Sequence, residues 1–164
     1  MKLIVITILI ILNCFSLQAQ TVHLLADIKP GTGSSNVDAD IASIVYHDVL
    51  LFSANDGTHG NELWIYDGTN VSLLKDIYPG AANSNCKNYF LINDKVLFTA
   101  QDSAHGVEWW ITDGTSSGTQ LLKDIFTGTP GAVADYDPSY FYVYKNELYF
   151  SGANRSNDFE LWKT

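Results

Sequence analysis

Three sets of residues in this chain have side chains that acid–base or metal chemistry uses, and each set recurs at a regular spacing. Asp27, Asp76 and Asp124 each precede an isoleucine and lead into a turn rich in glycine and proline. His59 and His105 are each followed by glycine. Glu62, Glu108 and Glu160 open the phrases ELW, EWW and ELW. Aspartates repeated along one rim could hold Ca²⁺ through their oxygens. None of the three has the dense D-x-D-x-D-G spacing of a calcium loop, so the favoured expectation is that they accept backbone N–H groups of the following turn. Asp56-Gly57-Thr58 is read as a turn on the same grounds. The glutamates could stand for the paired carboxylates of a glycosidase, and the histidines for a general base. A catalytic group is needed once per site, whereas these recur unit by unit, which points to structural partners. Neither histidine has a cysteine or second histidine at zinc-ligand spacing. No G-x-S-x-G elbow or phosphate-cradling loop occurs either. No catalytic or cofactor-binding residue is assigned, and calcium at the three aspartates is the single metal candidate.

The elements that must carry these residues repeat with them. LLADI at 24–28 and LLKDI at 73–77 and 121–125 are three copies of one segment. DVLLFSANDGTHGNELW at 48–64 aligns without a gap on DKVLFTAQDSAHGVEWW at 94–110 and on NELYFSGANRSNDFELW at 146–162. Internal repetition of this kind decides the fold before any single element does. Each unit holds about four extended segments rich in β-branched and aromatic residues, which favour pleated, half-buried surfaces. The first type is IASIVY, NYFLI and SYFYVY, and the second is VLLFSA, VLFTA and ELYFSG. ELWIY, EWWIT and ELWKT are the third type, and VSLLKDI and TQLLKDI the fourth. TVHLLADI supplies a further fourth-type strand at the start. Asp67-Gly68 and Asp113-Gly114 mark hairpins between third and fourth strands, and His47-Asp48 and Asn93-Asp94 mark those between first and second.

A period of about 48 residues with four strands per unit matches an all-β, β-propeller-like array of four-stranded antiparallel blades. A plain sandwich is the runner-up, but its strands have no reason to repeat their sequence. Blades stack face to face, so their middle strands are apolar on both sides, as LWI, WWI and LW are. Trp64, Trp110 and Trp162 are therefore read as inter-blade packing in preference to ligand-stacking platforms.

The repeated phrase resembles the signature of the ELWxxDGT-repeat family of secreted bacterial proteins. Glu62, Leu63, Trp64, Asp67, Gly68 and Thr69 match it in full. Glu108, Trp110, Asp113, Gly114 and Thr115 match in the second copy, with Trp109 in place of leucine. Glu160, Leu161 and Trp162 match in the third, which stops before its Asp-Gly-Thr. The likeness covers nearly all of residues 21–164 and implies an exported repeat protein without an established activity. Repeats are expected at about 24–72, 73–120 and 121–164. The last is cut short, as in a fragment of a longer propeller.

Residues 1–19 have the parts of a secretory signal: Lys2, the apolar run LIVITILIIL at 3–12, and Ala19 before the cut. The run is shorter than the roughly 20 apolar residues that span a bilayer. Its removal would leave Cys86 as the one cysteine, so no internal disulfide supports the exported domain. Of the 9 Lys and Arg only Lys2 falls in that segment, so 8 basic residues face 18 acidic ones and the remaining chain carries −10. Nucleic acid and anionic membranes reward the opposite sign. The expected partner is an extracellular protein or glycan held by a secreted or cell-surface binding or scaffold module. A propeller enzyme acting on extracellular glycans is the alternative.

Overall fold

The computed structural model describes residues 21–37, 43–125, 141–153 and 159–164. The signal expected over residues 1–19 lies outside the described residues, as does the loop TGTPGAVADYDP at 127–138. The described residues contain no helix, and eleven strands form three antiparallel sheets.

The first sheet runs β1 (Ser43–Tyr46), β2 (Val49–Asn55), β3 (Asn61–Tyr66) and β4 (Val71–Lys75), each strand beside the next. The second repeats this order with β5 (Lys87–Ile92), β6 (Lys95–Asp102), β7 (Gly106–Thr112) and β8 (Gln120–Lys123). The third contains β9 (Phe141–Tyr144), β10 (Glu147–Ala153) and β11 (Phe159–Lys163), with β10 in the middle. Two-residue turns close the first hairpins. His47, Asn93, Asp94, Lys145 and Asn146 all take positive φ there, a conformation that matches the right-handed twist of the flanking strands.

The Asp-Gly turns differ from the tight hairpins expected. Four residues separate β3 from β4, 67–70, and the β7–β8 connection is longer, 113–119. Only the glycines are left-handed, with Gly68 at φ +89° and Gly114 at φ +81°. The aspartates act through their side chains: Asp67 Oδ1 accepts the N–H groups of Thr69 and Asn70 at 2.8 and 2.7 Å, and Asp113 Oδ1 accepts that of Thr115 at 3.0 Å. An aspartate folding its carboxylate over its own turn does not need positive φ itself.

The core lies between sheets. Period-2 alternation sends Leu51 and Leu63 of the first sheet to one face, where they meet Val96, Phe98, Ala100 and Trp110 of the second in one buried cluster. The opposite face of the second sheet offers Leu97 and Trp109, which pack with Phe141, Leu148 and Phe150 of the third. The Trp109 ring stands edge-on to Phe141 at 5.0 Å and lies 5.4 Å from Phe150. The middle sheet is thus apolar on both faces, which is why β6 reads KVLFTA without polar alternation. A third cluster covers the outer face of the first sheet, with Phe52, Ala54 and Trp64 buried beneath Ile28 and Leu73.

Residues 21–27 correct the expectation of a fourth-type strand at the start of the chain: they carry no strand. A strand is defined by its ladder of hydrogen bonds, and residues 21–27 pair with no edge of the described sheets.

Candidate functional site

The repeated glutamates sit in the third strand of each sheet, on the face where the chain crosses to the next sheet. Glu62 is fully buried. Its Oε2 accepts the N–H of Ile77 at 2.7 Å and of Tyr78 at 3.3 Å, and its Oε1 accepts that of Ser84 at 2.9 Å. These donors belong to the 77–86 crossover, where Ser84 also donates to the Asn61 carbonyl of β3 at 2.9 Å, while the Ile77 and Tyr78 N–H groups turn to the carboxylate. Glu108 repeats the arrangement, with Oε1 accepting the Ile125 N–H at 3.1 Å. Glu160 is exposed. Burial pushes the Glu62 carboxyl up to about 7, against the three N–H bonds that hold it down. A carboxylate engaged this way is a clamp on the crossover and has no face left for a substrate.

The aspartates of LLKDI do not perform the task expected of them. The N–H groups of the turn go to the glutamates, while Oδ1 of Asp76 and Oδ1 of Asp124 are buried with no hydrogen-bond partner among the described residues. Asp27, Asp76 and Asp124 stand in three separate crossovers. Among the described residues no group of three His, Cys, Asp or Glu side chains is placed to hold a metal ion.

The histidines form a second repeated device. The β2–β3 connection folds around Asp56, whose Oδ1 accepts the N–H groups of Thr58 and His59 at 2.7 and 2.8 Å. Its Oδ2 bonds His59 Nδ1 at 2.7 Å. In the β6–β7 connection Asp102 Oδ1 accepts from Ala104 and His105 at 2.9 and 2.7 Å, and its Oδ2 lies 2.9 Å from His105 Nδ1. Burial raises the Asp56 carboxyl, but the His59 and Thr58 hydrogen bonds outweigh it and bring the group to about 2. The carboxylates in turn raise both imidazoles above their ordinary value, chiefly through the side-chain hydrogen bond. Each ring is held at Nδ1 on a partly exposed loop. The D-x-x-H spacing at 56–59 and 102–105 announced this pairing, although sequence reading took Asp56 for a turn residue alone.

The tryptophans of the phrase all point the same way along the stack. Trp110 packs against the first sheet and Trp162 against the second, while Trp64 lies beneath Ile28 on the outer face. The indole N–H of Trp162 donates to the Gly152 carbonyl at 3.0 Å. Ser84 completes the crossover, fully buried beside Cys86, whose thiol burial pushes up to about 12. Sequence reasoning passed over Ser84, since an isolated serine in a turn carries no signal of the carboxylate that meets it from another strand.

Two apolar hollows open at the sheet faces. One, of about 290 Å³, is lined by Leu24, Leu25, Ile28, Leu50, Phe52 and Val71 on the outer face of the first sheet. The other, of about 260 Å³, lies between the second and third sheets, with Trp109, Phe150 and Trp162 in its walls. Among the described residues no helix is long and apolar enough to cross a membrane. No family model, no curated protein and no solved structure matches the chain.

Proposed function

We propose that this chain is an exported repeat protein of the ELWxxDGT type, secreted or held at the cell surface, and that it works as a binding or scaffold module for an extracellular protein or glycan. Its sheets are read as blades of a β-propeller, and it is read as acting without catalysis. The observation that supports the binding role is the commitment of the ionisable residues. Glu62 and Glu108 are spent on crossover N–H groups, and Asp56 and Asp102 on loop N–H groups and on the histidines beside them. The same solution appears in two sheets, as a scaffold needs and a single reaction centre does not.

What remains free for recognition is the rim that carries the β2–β3 and β6–β7 loops. Each loop presents one imidazole, fixed in orientation by its aspartate, at the same place in its sheet. Weak contacts repeated on a rigid frame suit a polymeric or multi-site ligand, because linked contacts raise avidity without a new kind of contact.

A glycan array probed with the labelled protein, followed by titration of the retained ligands, tests this reading. Saturable binding without product release is expected, and joint replacement of His59 and His105 by alanine should weaken it at least tenfold. Release of reducing sugar by the purified protein would refute it in favour of an extracellular glycan-acting enzyme.

A further inference from the structure

The 77–86 crossover is held at its two ends by different chemistry. At the far end the bonds are between amides. Ser84 and Asn85 donate to the Asn61 carbonyl at 2.9 and 3.3 Å, and the Gln101 N–H donates to the Ser84 carbonyl at 2.9 Å. The Asn83 side chain accepts the Asn61 N–H at 2.8 Å, and the Asn83 carbonyl accepts from the Gln101 side chain at 2.8 Å. None of these groups titrates. At the near end the Ile77 and Tyr78 N–H groups both go to one oxygen, Oε2 of Glu62. Between the ends Pro79, Gly80 and Ala81 are exposed, and Gly80 takes φ +95°, a conformation that lets the backbone hinge there.

Glu62 is a poor place for a charge. It is fully buried, and among the described residues no lysine or arginine forms an ion pair with it. A carboxyl taken out of water without a cation favours its neutral form. The β2–β3 loop brings Asp56 and His59 toward it, with the imidazole held first by Asp56 and more weakly by Asp76 and Glu62. Lys29, from the preceding crossover, lies over Gly57 of that loop. β4 ends in Lys75, whose Nζ donates to the Ser116 carbonyl at 3.4 Å. Asp76 follows, with Oδ1 buried and without a partner among the described residues. The crossover itself brings the Cys86 thiol, which burial keeps protonated. Swinging residues 77–82 outward would return water to both carboxyls, Glu62 and Asp76. The burial of Ile77 between the first and second sheets opposes that movement. The same segment touches the rim: Gly60, next to His59, packs so closely on the Ala82 carbonyl that no side chain fits between them.

We propose that residues 77–82 form a strap that latches over Glu62 on the acid side of neutrality, opens on the alkaline side, and releases the His59 loop as it opens. With the strap closed, the Glu62 carboxyl lies at about 7, and with it open the group returns toward its ordinary 4.5. A group held higher in the closed state favours closure fully below 4.5, and that preference is lost as pH rises through about 7. Asp56, brought to about 2, stays ionised across this window and does not set it. His59, raised from an ordinary 6.5, is the neighbour whose titration has to be separated from that of Glu62. The inference rests on no ligand.

Hydrogen exchange of the unsubstituted protein, corrected for the intrinsic rate at each pH, tests it. Protection of the Ile77 and Tyr78 amides should fall roughly 50-fold from pH 5 to pH 8. The fall should be the same in sub-denaturing urea as in water, because a local opening exposes little surface. Glu62→Gln should make the protection independent of pH, and His59→Ala should leave the fall in place. Protection that does not change with pH, a fall that disappears with His59, or exchange of both amides only at the urea-dependent rate of the β6 amides would each overturn the proposal. Should Glu62→Gln fail to fold, the unsubstituted protein and His59→Ala still decide it. An absence of glycan binding with the fall intact overturns the binding role and leaves the strap standing.

Discussion

Replacing Glu62 by glutamine alters charge and hydrogen bonding where three backbone N–H groups converge, and the two effects separate by pH. An amide keeps one acceptor oxygen but turns an NH₂ toward either Ser84 or the Ile77–Tyr78 pair, leaving a buried donor facing a donor. A buried group left unsatisfied costs about 1–3 kcal/mol. The charge acts in the other direction. The Glu62 carboxyl lies at about 7 in the folded chain against an ordinary 4.5, so the folded state holds the proton more tightly than the unfolded state. The resulting stabilisation is fully present below 4.5 and is lost as pH rises through about 7, a total of roughly 3 kcal/mol. Glutamine has no such dependence. The Asp102–His105 pair does not feel Glu62 and cancels in the difference, and Glu62 is the smallest of the groups that raise His59. Urea denaturation followed by tryptophan fluorescence at pH 5, 6.5 and 8 should show E62Q less stable at pH 5 by about 1–3 kcal/mol. The gap should narrow by roughly 2–3 kcal/mol by pH 8 and close or reverse there. A gap that stays constant across this range would show that Glu62 is ionised throughout, and that the N–H bonds outweigh its burial.

Trp110→Ala removes the largest side chain between the first and second sheets, and denaturant titration should show a loss of ~3–5 kcal/mol. Gly60 and Gly68 should differ sharply on replacement by alanine. Both have positive φ, but a Cβ at Gly60 would meet the Ala82 carbonyl oxygen at 1.7 Å, whereas nothing stands within 4 Å at Gly68. Gly68→Ala should cost about 1 kcal/mol by thermal melting, and Gly60→Ala should abolish the cooperative transition. Asp56→Asn removes the partner that raises the His59 imidazole, so NMR titration of that ring should move toward 6.5 while His105 stays in place. An unmoved His59 would show that its loop is held by other groups.

The repeat alone settled the secondary structure, because strand formation here depends on local pattern. ELWIY and EWWIT carry the β-branched and aromatic residues of a buried strand, and each lies in a β-strand beside its own second-type segment. The first hairpins were equally legible, since Asn93-Asp94 can take positive φ without help from elsewhere. Residues 21–27 show the limit of this reading: LLADI has the composition of LLKDI, but a strand exists only beside a partner edge. The roles of the repeated acids were likewise beyond the pattern. Glu62 meets donors 15, 16 and 22 residues away, so the clamp forms only when the crossover folds back over β3. That fold took the turn N–H groups from Asp76 and left one of its oxygens buried without a partner. Alternation along β3 determines that Leu63 and Trp64 face opposite ways. Which of them meets a neighbouring sheet is decided by the stacking, since burial depends on what arrives at each face and not on the strand that offers it.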